Sequence, residues 1–204
     1  MITLLENLLF FITRLLTGAV SEYKEFNFEP VRQRIYYANH SSHMDTLILW
    51  SMLPKSQRRY VHPVAAKEYW WSSPLKRYFA ENIFRAVPLA RTREERGRDP
   101  LHALEQVLEQ GESLIIFPEG TRGSGECIQK FKGGLYHLAS KYPQVEFVPV
   151  YINNLNRVLP KGELLPVPII CTLHFGSGFI IEPEETKAAF IVRAQSKLEA
   201  LQPR

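Results

Sequence analysis

Two short segments of this chain of 204 residues carry side chains whose types and spacing could do chemistry. The first is Asn39-His40-Ser41-Ser42-His43-Met44-Asp45, with an imidazole and a carboxylate five positions apart. On a regular helix that offset turns one side chain roughly 140° from the other, so they meet only if His40 lies on an incoming loop and Asp45 in the first helical turn. A neutral imidazole held by a carboxylate on one ring nitrogen can take a proton through the other, as activation of a substrate hydroxyl requires. Ser42-x-x-Asp45 also fits a capping box with Asp in place of Glu or Gln, and an Asp there could cap weakly and still face His40. His40, His43 and Asp45 match no common zinc spacing, so no metal is expected. No G-x-S-x-G elbow marks Ser41 or Ser42 as a nucleophile.

The second segment is Phe117-Pro118-Glu119-Gly120-Thr121-Arg122. Pro118 and Gly120 shape a tight turn, and glycines at 120, 123 and 125 free the backbone to bring N–H groups near an anion. Arg122 adds a planar fork suited to phosphate oxygens. Glu119 would repel a phosphate, so it must orient an arginine such as Arg122 or Arg91, or hold a hydroxyl. Pro-Glu-Gly-Thr is equally the composition of an ordinary surface turn.

Both segments follow predicted strands, RIYYAN and SLIIF, which puts them at the strand ends where α/β sheets place ligand-binding residues. HPVAA, FRAVPLA and EFVPVYI read as further strands, and PIICTLHFGSGF as one or two more. Between them, the stretch after Ser42, DPLHALEQVLEQG, GGLYHLASKY and TKAAFIVRAQSKLEAL have helical spacing, and KEYWWSSPLKRYFAEN is helical or irregular. In DPLHALEQVLEQG, Asp99 offers an N-cap, Pro100 the first helical position and Gly111 the end. This alternation predicts a single α/β domain with a mainly parallel central sheet flanked by helices, spanning 25–204 and preceded by an amphipathic N-terminal helix within 1–24.

Cys127 and Cys171 are too few and too isolated for a disulfide framework, and both read as reduced thiols in a cytosol-facing protein. The formal charge is only +4, yet Lys55 to Arg98 holds eleven Lys/Arg against four Glu. That stretch is either a solvated face or a surface for an anionic partner. With no nucleic-acid-binding motif beside it, a membrane or phosphorylated lipid fits better than nucleic acid.

MITLLENLLFFITRLLTGAV has no Lys or Arg ahead of its apolar run, which argues against a signal peptide. As a membrane span it would bury Glu6 and Arg14 at roughly 2.5 to 3.5 kcal/mol each. On a helix, Thr3, Glu6, Asn7, Thr13, Arg14 and Thr17 form a thin polar stripe that Phe10 interrupts, against a wide arc of leucines, Phe11 and Ile12. Such a helix either lies in a membrane interface or packs its arc on the protein's own body.

Taken together, the segments resemble the glycerolipid acyltransferase family, its bacterial 1-acylglycerol-3-phosphate acyltransferases in particular. The family's N-H-x-S-x-x-D corresponds to Asn39, His40, Ser42 and Asp45, and its F-P-E-G-T-R to Phe117 through Arg122. Its arginine block resembles Pro88-Leu89-Ala90-Arg91, with Arg93 as the other candidate; Phe131-Lys132-Gly133 and Val148-Pro149-Val150 match its remaining blocks in order. The resemblance implies that His40, oriented by Asp45, activates the free hydroxyl of a lysophospholipid. That hydroxyl would attack the thioester of acyl-CoA or an acyl-carrier protein, with no cofactor and no covalent acyl-enzyme. Arg91, Glu119, Gly120, Thr121 and Arg122 would hold the acceptor phosphate, beside Asn39 and Ser42. It implies work at the cytoplasmic face of the cell membrane through the N-terminal helix. The alternatives are a Ser-His-Asp lipid hydrolase and a non-catalytic membrane-binding protein.

Overall fold

Arg34-Ile35-Tyr36-Tyr37-Ala38 is an uninterrupted run of long, aromatic and β-branched side chains with no polar alternation, the pattern of a strand covered on both faces. The computed structural model describes residues 2–23, 26–29, 32–42, 44–90, 100–154 and 170–203. In it this run is β2 (Arg34–Ala38), buried at every position and lying at the centre of the sheet. The other strands are β1 (Val20–Glu22), β3 (Val61–Ala66), β4 (Val87–Leu89), β5 (Ser113–Ile116), β6 (Glu146–Asn153) and β7 (Thr172–Phe175). Their order is β1-β7-β6-β2-β5-β3-β4, and every neighbouring pair is parallel except β6 with β7.

Successive side chains of a strand point to opposite faces, and β2 divides the core accordingly. Tyr36 and Ala38 join Phe10, Ile48, Leu49, Trp50 and Phe84 on one face. Ile35 and Tyr37 join Leu104, Leu108, Leu135, Leu138, Phe190 and Leu198 on the other. The first layer is built by α1 (Ile2–Thr17), α2 (Asp45–Met52) and a π-helix (Phe79–Ile83), with short α3 (Lys55–Arg58), α4 (Lys67–Trp70) and α5 (Pro74–Tyr78) between them. The second is built by α6 (His102–Glu109), α7 (Gly134–Lys141) and α8 (Lys187–Glu199). Thr186 caps α8, its hydroxyl accepting the Ala189 N–H.

Two elements depart from expectation. Helix α6 begins at His102, with Pro100 and Leu101 in a preceding turn; the expected cap, Asp99, lies outside the described residues. The strand expected over FRAVPLA shortens to Val87–Leu89, because the π-helix runs to Ile83 and Arg85 takes a left-handed backbone (φ 48°) incompatible with extended chain. PIICTLHFGSGF, expected to give one or two strands, gives β7, antiparallel to β6, and then a single bridge from Phe179 to Phe147.

Helix α1 is docked by its polar side. Phe10, Thr13 and Thr17 are buried, and Arg14 donates to the Ser51 carbonyl at 2.9 Å. The two threonine hydroxyls are satisfied inside the helix, donating to the Leu9 and Thr13 carbonyls at 2.8 and 2.7 Å, which lets them face the core. The apolar arc points outward: Phe11 is 65% and Leu15 71% exposed, with Leu8 and Ile12 beside them. None of the described helices is long and apolar enough to cross a membrane.

Candidate active site

Strands β2 and β5 are adjacent and parallel, with Tyr37 opposite Ile116, so the segments that follow them emerge side by side. The first segment leaves β2 through Asn39. Its amide copies a backbone pair with β6, accepting from the Ile152 N–H at 2.7 Å and donating to the Ile152 carbonyl at 2.9 Å. That extends the ladder one step past the Ala38–Val150 pair and fixes where His40 departs.

His40 lies on the loop and Asp45 begins α2, the geometry that an offset of five requires. His40 Nδ1 is 2.7 Å from Asp45 Oδ2, and the same oxygen accepts the backbone N–H groups of Ser41 and Ser42 at 2.7 and 2.8 Å. Asp45 is fully buried. An oxygen receiving two amide hydrogens is an acceptor, so the proton on this side of the imidazole belongs to Nδ1, and Nε2 of the neutral ring keeps its lone pair. Only half of a capping box forms: Asp45 accepts the Ser42 N–H, while Ser42 Oγ accepts the Met44 N–H at 3.2 Å instead of capping further on. The other face of the imidazole is held by Phe117, whose ring stacks on it at 4.3 Å between centroids.

The second segment closes over the first. Glu119 Oε1 accepts the His40 N–H at 2.7 Å and Oε2 accepts the Gln129 N–H at 2.9 Å. Burial raises the Glu119 carboxyl above the ordinary glutamate range, partly opposed by the two amide donors and by His40. Gly123 N–H donates to the His40 carbonyl at 2.8 Å, and Lys132 N–H to the Pro118 carbonyl at 2.8 Å. Gly120 has φ 74°, so the turn calls for glycine; a Cβ there would lie 3.1 Å from Lys132 Cε, and the lysine side chain would have to shift to admit it.

His40 and Glu119 thus share one small recess, lined also by Cys127, Ile128 and Tyr151. Thr121 and Arg122 are exposed on the loop, joined to His40 through the adjacent Gly123. Asn39 and Ser42 spend their polar atoms on the backbone. Arg91, Arg93 and His43 lie outside the described residues. Among those described, no cluster of His, Cys, Asp and Glu could hold a metal. Cys171 is buried, its thiol pushed up to about 12, mainly by burial, which makes it a poor nucleophile.

Sequence reasoning missed the stacking of Phe117, the lysine over Gly120 and the lining by Tyr151. Each left a signal in a matched block: Phe117 opens Phe117 through Arg122, Lys132 belongs to the Phe131-Lys132-Gly133 block, and Tyr151 follows the Val148-Pro149-Val150 block on β6.

A family model described as Acyltransferase matches residues 20–153. Among curated proteins, the 1-acyl-sn-glycerol-3-phosphate acyltransferase alpha of Homo sapiens is 31% identical over 143 residues, covering 67% of this chain and 46% of that protein. The corresponding enzyme of Mus musculus is 30% identical with the same coverage. The 1-acyl-sn-glycerol-3-phosphate acyltransferase of Limnanthes alba is 29% identical over 144 residues, covering 68% and 48%. The chain spans about half the length of the curated relatives it matches. The crystal structure of the 1-acyl-sn-glycerophosphate (LPA) acyltransferase PlsC from Thermotoga maritima shares the fold, with a TM-score of 0.76 at 23% identity, covering 98% of this chain and 78% of that one.

Proposed function

This chain belongs to the acyltransferase family, and from that premise we propose that it moves a fatty acyl group from acyl-CoA or acyl-carrier protein to the free hydroxyl of a lysophospholipid, 1-acylglycerol-3-phosphate, giving phosphatidic acid. The observation that carries this is the buried Asp45 carboxylate 2.7 Å from His40 Nδ1, beside a loop that presents glycine backbone and Arg122. His40 Nε2 takes the hydroxyl proton as the acceptor oxygen attacks the thioester carbonyl. The tetrahedral intermediate then expels the thiolate, which recovers the proton from Nε2, leaving an ester and a free thiol. Arg122, the Gly120–Thr121 backbone and Arg91 meet the acceptor phosphate, and holding it beside the base supplies several kcal/mol of the barrier reduction.

A serine hydrolase receives no support from the site. Among the described residues the His40 ring faces Asp45 and Phe117, and Ser42 Oγ accepts a backbone N–H. The decisive experiment incubates the purified protein with labelled acyl-CoA and a panel of lysolipids with and without the phosphate monoester. Product is expected only from phosphate-bearing acceptors; equal transfer to lysolipids lacking the phosphate removes the assigned acceptor, and free fatty acid as the sole product removes the transfer reading.

The membrane contact belongs to residues 1–24, with the rest of the chain as the acyltransferase domain at the cytoplasmic face. What supports it is the outward apolar arc of α1, since a helix docked through Thr13, Arg14 and Thr17 leaves Leu8, Phe11, Ile12 and Leu15 exposed for another phase. The double variant Phe11→Asp, Leu15→Asp changes only exposed positions and should fold normally. Its co-sedimentation with phosphatidylglycerol vesicles should fall about tenfold or more, since each buried side chain of this size contributes ~1.5 to 3 kcal/mol. Unchanged binding assigns the contact elsewhere.

A further inference from the structure

Resting on the transfer reading above, we infer that Glu119 acts in acyl transfer as a positioning residue that clamps the peptide of His40, and does not bind the acceptor. Each of its oxygens meets a main-chain donor, His40 N–H at 2.7 Å and Gln129 N–H at 2.9 Å. At 3% exposure the carboxylate presents almost no surface to a substrate hydroxyl. The same loop grips the other side of the peptide, Gly123 N–H donating to the His40 carbonyl at 2.8 Å. His40 is therefore held at its N–H, its C=O and, through Asp45 and Phe117, its ring.

The chemistry of the clamp explains why a glutamate serves. Both partners are donors, so the bridging group must offer two acceptors, which a carboxylate does. An amide places its NH₂ against one of the two N–H groups, and aspartate is a methylene too short to hold its present span. Desolvating a carboxylate in this way is costly, which is why burial leads the causes raising its pKa; the titratable groups that bear on it are His40, which lowers it, and Asp45, which raises it.

The test compares full-length wild type with Glu119→Gln in kcat and in KM for 1-acylglycerol-3-phosphate, using acyl-CoA as donor. The expected result is a kcat lower by on the order of 10²-fold, the cost of misplacing a catalytic group by about an ångström. KM should change by less than about twofold. A raised KM with kcat preserved makes Glu119 an acceptor ligand and overturns the inference, as do wild-type values for both constants. A second measurement needs no variant: in the unsubstituted protein the amide resonances of His40 and Gln129 should follow one shared titration with a midpoint above the ordinary glutamate value. A Gln129 amide indifferent to pH overturns the clamp. Absence of transfer by wild type to any lysolipid would refute the proposed function instead, and the shared titration would still decide whether the clamp exists.

Discussion

His40→Ala should lower kcat for acyl transfer by about 10³-fold, within the range that general-base catalysis contributes, while leaving acceptor binding and the fold in place. In the proposed mechanism the imidazole is the group whose lone pair takes the acceptor proton. Its loss leaves a hydroxyl that must attack while still protonated, with only positioning and electrostatics to help. Folding survives because the loop holds residue 40 by its backbone: the N–H donates to Glu119 and the carbonyl accepts from Gly123, and alanine keeps both. Single-turnover transfer from labelled acyl-CoA, beside equilibrium binding of the lysolipid, separates the two effects. A variant that turns over at the wild-type rate would remove the base from position 40.

Asp45→Ala should be the more damaging change, because it strikes stability as well as rate. One oxygen of this fully buried side chain receives two backbone amides and the imidazole, so truncation strands three donors at once. Leaving buried polar groups unpaired costs roughly 1–3 kcal/mol each, and partial access of water to the loop reduces the total to an expected loss of about 3 to 5 kcal/mol. Urea denaturation of wild type and variant checks it. Asp45→Asn provides the contrast: the amide oxygen can still accept the two N–H groups, so stability should recover most of the loss while turnover does not. An alanine variant unfolding at the wild-type urea concentration would show that these hydrogen bonds contribute nothing net.

What was legible in the sequence follows from which forces leave a pattern. β2, β5 and β6 are covered on both faces, and burial of that kind writes itself as an unbroken apolar run. The His40–Asp45 contact was legible because an offset of five demands a strand-to-helix junction and the flanking segments supply one. β1 was not: Val-Ser-Glu has no periodicity, and these residues are extended because the edge of β7 offers them a ladder. The facing of α1 was illegible for a different reason. The polar stripe was plain, but its hydroxyls are satisfied within the helix, and no count of hydrophobic residues can register that. Glu119 was hardest, since a carboxylate answering main-chain N–H groups looks in sequence like one awaiting a ligand.

The adjacency of β2 and β5 has a consequence for how the molecule comes to life. His40 and Glu119 are brought together by strands distant along the chain, joined through a parallel ladder that no short hairpin can build. Such remote pairings form late and together, after the loops between them have closed. Catalytic competence is therefore the last thing a refolding chain acquires: helical signal should return ahead of turnover, and a half-folded molecule should be silent, not slow.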